Sequence, residues 1–176
     1  MHKYEKIIIT IGREFGSGGH NVGRLIADQL QIPYFDKELL RLSAEESGLS
    51  LDVIENIDET AMNSLLYSLS VGAYMPESGY APRLDLPVGD RIFCIQSEII
   101  KREAAKGSCV FVGRCAGYIL SGIEDCLNVF LYAPLEERIK RTATLNGLSL
   151  EEAKKTVHRA DKRRAAYYSF YTDRKW

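Results

Sequence analysis

Two hydrophobic periods take turns along this chain, and the switches between them mark its elements. EKIIITI (residues 5–11) is a β-branched run of strand length, closed by Gly12. After a glycine-rich turn, NVGRLIADQLQI sets Val22, Leu25, Ile26 and Leu30 at helical spacing until Pro33 stops it. YFD is a brief second strand, and Asp36 is expected to cap a helix reaching about Glu46. Ser50 caps a further helical stretch whose buried stripe is Leu51, Ile54, Ile57 and later Leu65, Leu66 and Leu69.

Residues 71–89 are rich in proline and glycine and read as a long loop, either functional or disordered. Helical spacing returns from Asp90 to Lys106 and ends at Gly107. SCVFVG is a buried strand, GRCAGYIL a loop-to-helix turn, and CLNVFLYA another strand. Pro134 suits the first turn of the helix PLEERIKRTATLNG. Ser149 and Glu152 form a capping box that opens a last helix through about Tyr168. Strands alternating with helices imply a parallel sheet covered on both faces, with ligands at the carboxyl ends of its strands.

Composition narrows the function classes. The chain has 176 residues, 45% of them hydrophobic and 27% charged, which suits one globular domain. A net charge of −1 argues against a generally basic nucleic-acid binder, and no apolar run approaches bilayer length. Cys94, Cys109, Cys115 and Cys126 show no C-x-x-C pairing, so reduced thiols and a cytoplasmic location are expected. Charge placement says more than the sum. Residues 1–135 hold 12 Lys+Arg against 18 Asp+Glu, whereas residues 136–176 hold 11 against 6. A basic C-terminal quarter fits an element facing an anion, or a solvated helix face.

Chemistry concentrates in IIITIGREFGSGGHNVGRLIA, which has the strand, glycine turn and helix order of a phosphate cradle. Backbone N–H groups from Phe15 through Gly16, Ser17, Gly18, Gly19 and His20 to Asn21, with Gly12 below them, are the candidate cradle. Neither common phosphate motif is met in full. The dinucleotide fingerprint G-x-G-x-x-G has Asn21 in place of its third glycine, although Asp36 lies at a suitable distance. The Walker pattern G-x-x-x-x-G-K-[ST], with Gly18 as its second glycine, has Gly19 at the lysine and His20 at the hydroxyl.

Four segments together resemble the cytidylate kinase-like branch of the nucleoside monophosphate kinases: ITIGREFGSGGHNVGRLIADQLQIPYFDKELL, VFVGRCAGYIL, NVFLYAPLEERIKR and RADKRRAAYYSFYTDRKW. Members of that branch read S-R-E-[YF]-G-S-G-G at the loop, so the missing lysine belongs to the branch. The resemblance implies a three-layer α/β P-loop fold, a parallel sheet between helices, as one domain over 1–176. It further implies an acceptor-binding insert over about 37–89 and a helical lid over about 138–166. It also implies a further strand and helix beyond the lid, enclosing the adenine.

The implied activity is transfer of the ATP γ-phosphoryl group to a nucleoside monophosphate or related small acceptor, with Mg²⁺. Arg13 or protonated His20 would replace the lysine's charge, Arg13 otherwise being a surface residue after a strand. Arg114 of the G-R-C segment would face the acceptor phosphate; the family's G-R-D acid is Cys115 here, and the branch's common aspartate is Gly117. Asp36, Lys37 and Arg41 lie where the acceptor pocket begins. Arg138, Arg141, Arg159 and Arg164 would close over the phosphates, with Asp161 and Arg164 matching the lid's D-x-x-R, although Val157 stands where the family has an arginine.

Three readings stay open. The first is this kinase; the second is a nucleotide-binding protein without turnover; the third is a dinucleotide-dependent oxidoreductase. The tail, from Tyr167 to Trp176, either docks a C-terminal helix on the core or stacks on a base.

Overall fold

The computed structural model describes residues 6–59 and 86–176. Four parallel strands form one sheet: β1 (Ile8–Arg13), β2 (Tyr34–Phe35), β3 (Cys109–Val112) and β4 (Cys126–Leu131), in the order β2-β3-β1-β4. Around it lie α1 (Gly19–Leu30), α2 (Lys37–Ser47), α3 (Leu51–Glu59), α4 (Val88–Lys106), α5 (Ala116–Ile119), α6 (Leu135–Asn146) and α7 (Leu150–Thr172). β1 is central, with Ile8 level with both Cys109 and Cys126. A central parallel strand is buried on both faces, and so β1 and β3 carry continuous apolar runs.

Successive residues of β1 feed opposite layers. Ile9 and Ile11 pack with Val110, Val112 and Ala27 under α1. Ile8 packs with Phe35, Leu39, Ile99, Phe111 and Leu120 under α2, α4 and α5. A third cluster, Leu40, Ile54 and Ile92, ties α2, α3 and α4 together.

Several local expectations change. β1 runs past Gly12 to Arg13, because β4 pairs with it as far as Arg13↔Leu131. In α1 the inward face is Gly19, Gly23 and Ala27, while Val22, Leu25 and Leu30 are exposed. The helix sits too close to the sheet for larger residues. A Cβ on Gly23 would stand 3.0–3.1 Å from the side chains of Val112, Ile11 and Tyr34.

Asp36 occupies the N-cap position of α2 but makes no capping hydrogen bond. Leu51 is exposed while Ile54 is buried, Ile57 falls within α3, and the rest of the expected stripe (Leu65, Leu66, Leu69) lies outside the described residues. Of the expected loop at 71–89, residues 71–85 also lie outside them, and Val88 and Gly89 already belong to α4. The capping box of Ser149 and Glu152 forms as read, and its helix continues to Thr172. Among the described residues no helix is long and apolar enough to cross a membrane.

The C-terminal helix docks on the core through aromatic rings. Tyr171 stacks on Phe93 of α4 with centroids 4.0 Å apart, and its hydroxyl donates to Asp90 at 2.9 Å. This brings the basic face of α7 over the carboxyl ends of β1 and β3.

Candidate active site

The turn from Glu14 to Gly18 joins β1 to α1 and carries the expected strand, bend and helix geometry. Gly16 and Gly18 have φ of 76° and 94°, a region that costs other residues about 1–2 kcal/mol. A Cβ on Gly16 would also lie 2.9 Å from the Arg138 carbonyl and from Thr142 Oγ1. Among the described residues nothing accepts the N–H groups of Gly19, His20 and Asn21 in the first turn of α1. Those donors and the helix dipole favour an anion there. Two other loop donors are engaged: Phe15 N–H donates to Asp161 at 2.7 Å, and Ser17 N–H reaches the Glu14 carbonyl at 3.4 Å.

The bend is held from below by two arginines of α6. Arg138, 6% exposed, donates through Nη1 to Asp161 at 2.6 Å and to the Phe15 carbonyl at 3.1 Å. Its Nε donates to the Ala133 carbonyl at 3.0 Å and lies 3.1 Å from Glu14. Arg141 donates to the Gly16 carbonyl at 2.6 Å. Both side chains thus grip loop carbonyls, a positioning role.

Above the carboxyl ends of β1, β3 and β4 opens a cleft of about 600 Å³. Its described lining includes Arg13, Arg114, Arg163, Arg164, Arg174 and Lys175, and no aspartate or glutamate. Three of these arginines converge. Arg13 lies against Gly19 and Gly113, and Arg164 donates to the Arg13 carbonyl at 3.1 Å while its guanidinium stands over the Phe15 ring. Burial lowers the pKa of each, and mutual repulsion adds to it for Arg114 and Arg164. Arg164 falls to about 9, first through burial and then through Arg13. Like charges held together out of water are costly unless an anion joins them.

Arg114 is delivered by a strained turn. Gly113, Arg114 and Cys115 have consecutive φ values of 78°, 55° and 56°. Non-glycine residues in that conformation persist only where the surroundings impose it, as happens at ligand clamps. Cys115 itself is buried, and burial pushes its thiol up to about 12, which makes it inert as a nucleophile.

His20, at the Walker hydroxyl position, turns toward β2. Its Nδ1 lies 2.7 Å from Asp36, with the Tyr34 hydroxyl 3.0 Å from the same nitrogen. This contact explains why Asp36 does not cap α2. Lys37 and Arg41 are exposed outside the cleft, Arg41 paired with Glu38 and Glu45 of its own helix. Arg159 is exposed on α7 and does not line the cleft.

The family model of the cytidylate kinase-like family matches residues 8–176. The chain belongs to that family. Its curated relatives include a cytidylate kinase from Ignicoccus hospitalis, 30% identical, covering 83% of this chain and 69% of the relative. Another, from Methanopyrus kandleri, is 26% identical over 89% of this chain and 71% of its own. Among solved structures, an uncharacterized protein from Eubacterium ventriosum shares 30% identity, covers 97% of this chain and 81% of its own, and superposes with a TM-score of 0.67.

In this cytidylate kinase-like chain the fold draws Arg13, Arg114 and Arg164 to one cleft and leaves Lys37, Arg41 and Arg159 outside it. Sequence reasoning missed Thr10, Asn128, Tyr118 and Phe130, which line the same cleft together with Trp176 of the aromatic tail. One signal was available for Asn128: a lone amide in the otherwise apolar strand CLNVFLYA.

Proposed function

We propose that the protein is a nucleotide kinase that moves the γ-phosphoryl group of ATP to a nucleoside monophosphate or related small acceptor. The supporting observation is the convergence of Arg13, Arg114 and Arg164 in a cleft whose described lining has no carboxylate, beside the open N-terminus of α1. Phosphoryl transfer requires two anions held in line and charge spread over the moving group neutralised, so catalysis is mostly positioning and electrostatics.

In this reading the amides of Gly19, His20 and Asn21 receive the donor phosphates. Arg13 supplies the cation that a Walker lysine would bring. Arg114, aimed by its strained turn, orients the acceptor phosphate, and Arg164 neutralises the group in transit. Asp161 and Arg138 hold the bend that aims the amides, so they act through it.

Magnesium keeps most of its waters and needs only one or two protein carboxylates beside substrate phosphates. Asp36, held by His20 next to the start of α1, fits that need. The ion would neutralise charge on the phosphates. Four free thiols accord with a cytosolic setting.

A nucleotide-binding protein without turnover is the second reading, favoured by the Phe15 amide being engaged by Asp161. A coupled ADP-release assay with ATP, Mg²⁺ and a panel of monophosphates separates the two. The kinase reading expects ADP formation that depends on one acceptor. ATP binding without acceptor-dependent ADP would leave the binding protein.

A further inference from the structure

The floor of the cleft carries chemistry that phosphate binding leaves unused. Asn128 of β4 lines it as an exposed residue whose side-chain oxygen is hydrogen-bonded to the strand beside it. Thr10, 3% exposed, donates its hydroxyl to Asn128 Oδ1 at 2.5 Å, and the Cys126 thiol approaches the same oxygen at 3.8 Å. In this arrangement Oδ1 is the amide atom turned to the Thr10 hydroxyl. With the oxygen on Thr10, the nitrogen is the amide atom left for a ligand in the cleft, and among the described residues nothing accepts from it.

Gly117 closes this floor. A Cβ there would lie 2.7 Å from Asn128 Oδ1 and 3.0 Å from Thr10 Oγ1. The walls are aromatic: Tyr118, and Phe130 with Trp176 in an edge-to-face pair 5.4 Å apart. Flat walls and a cleft of this volume suit a planar ring. What meets the edge of that ring is a donor, with no described carboxylate to accept from an amino group.

We infer that Asn128 determines acceptor specificity, donating through its amide nitrogen to a ring carbonyl and thereby favouring a 4-oxo pyrimidine monophosphate over its 4-amino counterpart. The inference rests on the cleft holding the acceptor, as in the proposed function, and it departs from the base in the relatives' names. An amino edge would set two donors face to face and lose the hydrogen bond that a carbonyl edge would make.

The test is calorimetric titration of the full chain with UMP and with CMP, for wild type, Asn128→Asp and Asn128→Ala, with thermal unfolding of each as a check on folding. Asn128→Asp keeps an acceptor for the Thr10 hydroxyl and offers a carboxylate to the ligand. Wild type should bind UMP about tenfold more tightly than CMP, the free-energy equivalent of one hydrogen bond. Asn128→Asp should reverse that order, and Asn128→Ala should bring the two within about twofold. Equal or tighter binding of CMP by wild type overturns the inference, as does an unchanged order in Asn128→Asp or no binding of either ligand. Failure of the kinase reading looks different. UMP preference without ADP release from ATP would keep the specificity and remove the transfer.

Discussion

Arg138 and Asp161 lie 2.6 Å apart, on different helices, directly under the bend that joins β1 to α1. Their pairing decides where that bend sits. Arg138 holds the Phe15 carbonyl and Asp161 its N–H, so one ion pair clamps both faces of a single peptide group's neighbourhood. Removing Arg138 leaves the Asp161 carboxylate, only 18% exposed, without its cation. Arg138→Ala should lower the unfolding free energy by about 3 kcal/mol, the usual cost of breaking a buried pair. Urea unfolding followed by circular dichroism measures it; a loss under about 1 kcal/mol would show that the pair contributes no more than an exposed one.

Much of this fold was legible because its signals are local. β1, α1 and α7 follow from a β-branched run, helical spacing and the capping box at Ser149. Which face of α1 turns inward was not legible, since hydrophobicity nominates Leu25 whereas the close approach of helix to sheet demands Gly23. The same gap separates the arginines. Arg13 and Arg138 look alike in a string of letters, yet one lines a cleft and the other is buried against Asp161 and Glu14. Only tertiary packing makes that division. Asp36 was read as a helix cap, and its partner proved to be His20, 16 residues away.

Affinity for nucleotide should depend on pH in a direction set by Arg164. Its pKa in the free protein is lowered to about 9, and a bound polyanion favours the protonated form. Below pH 9 the side chain is already charged and affinity is level. Above it, binding must take up a proton, so affinity falls by up to tenfold per pH unit until about the usual arginine value. Titrations of ATP from pH 7 to 10.5 should show this bend for wild type and a flatter profile for Arg164→Gln. Identical profiles would remove Arg164 from the phosphate contacts.

The docking of α7 gives a smaller, separable effect. Tyr171→Phe keeps the stack on Phe93 and deletes the hydrogen bond to Asp90. The expected loss is about 1 kcal/mol, equivalent to a fall of roughly 2–4 °C in Tm for a chain of this size. Scanning calorimetry reads it directly, and an unchanged Tm would mean that water replaces the bond at no cost.

In the proposed function a half-buried arginine at the end of β1, Arg13, takes the electrostatic part of the absent Walker lysine. Calorimetric titration of ATP with Mg²⁺ into wild type and Arg13→Met, with Tm recorded for both, addresses it most directly. Arg13 is half-buried, with Asp36 as a counter-charge on one side and Arg114 and Arg164 on the other, so replacing it by an apolar chain of similar length should change Tm little. The same replacement should raise the Kd for ATP at least about tenfold, since it removes a charge-assisted contact to phosphate. An ATP affinity equal to wild type in a stably folded Arg13→Met protein would contradict the account.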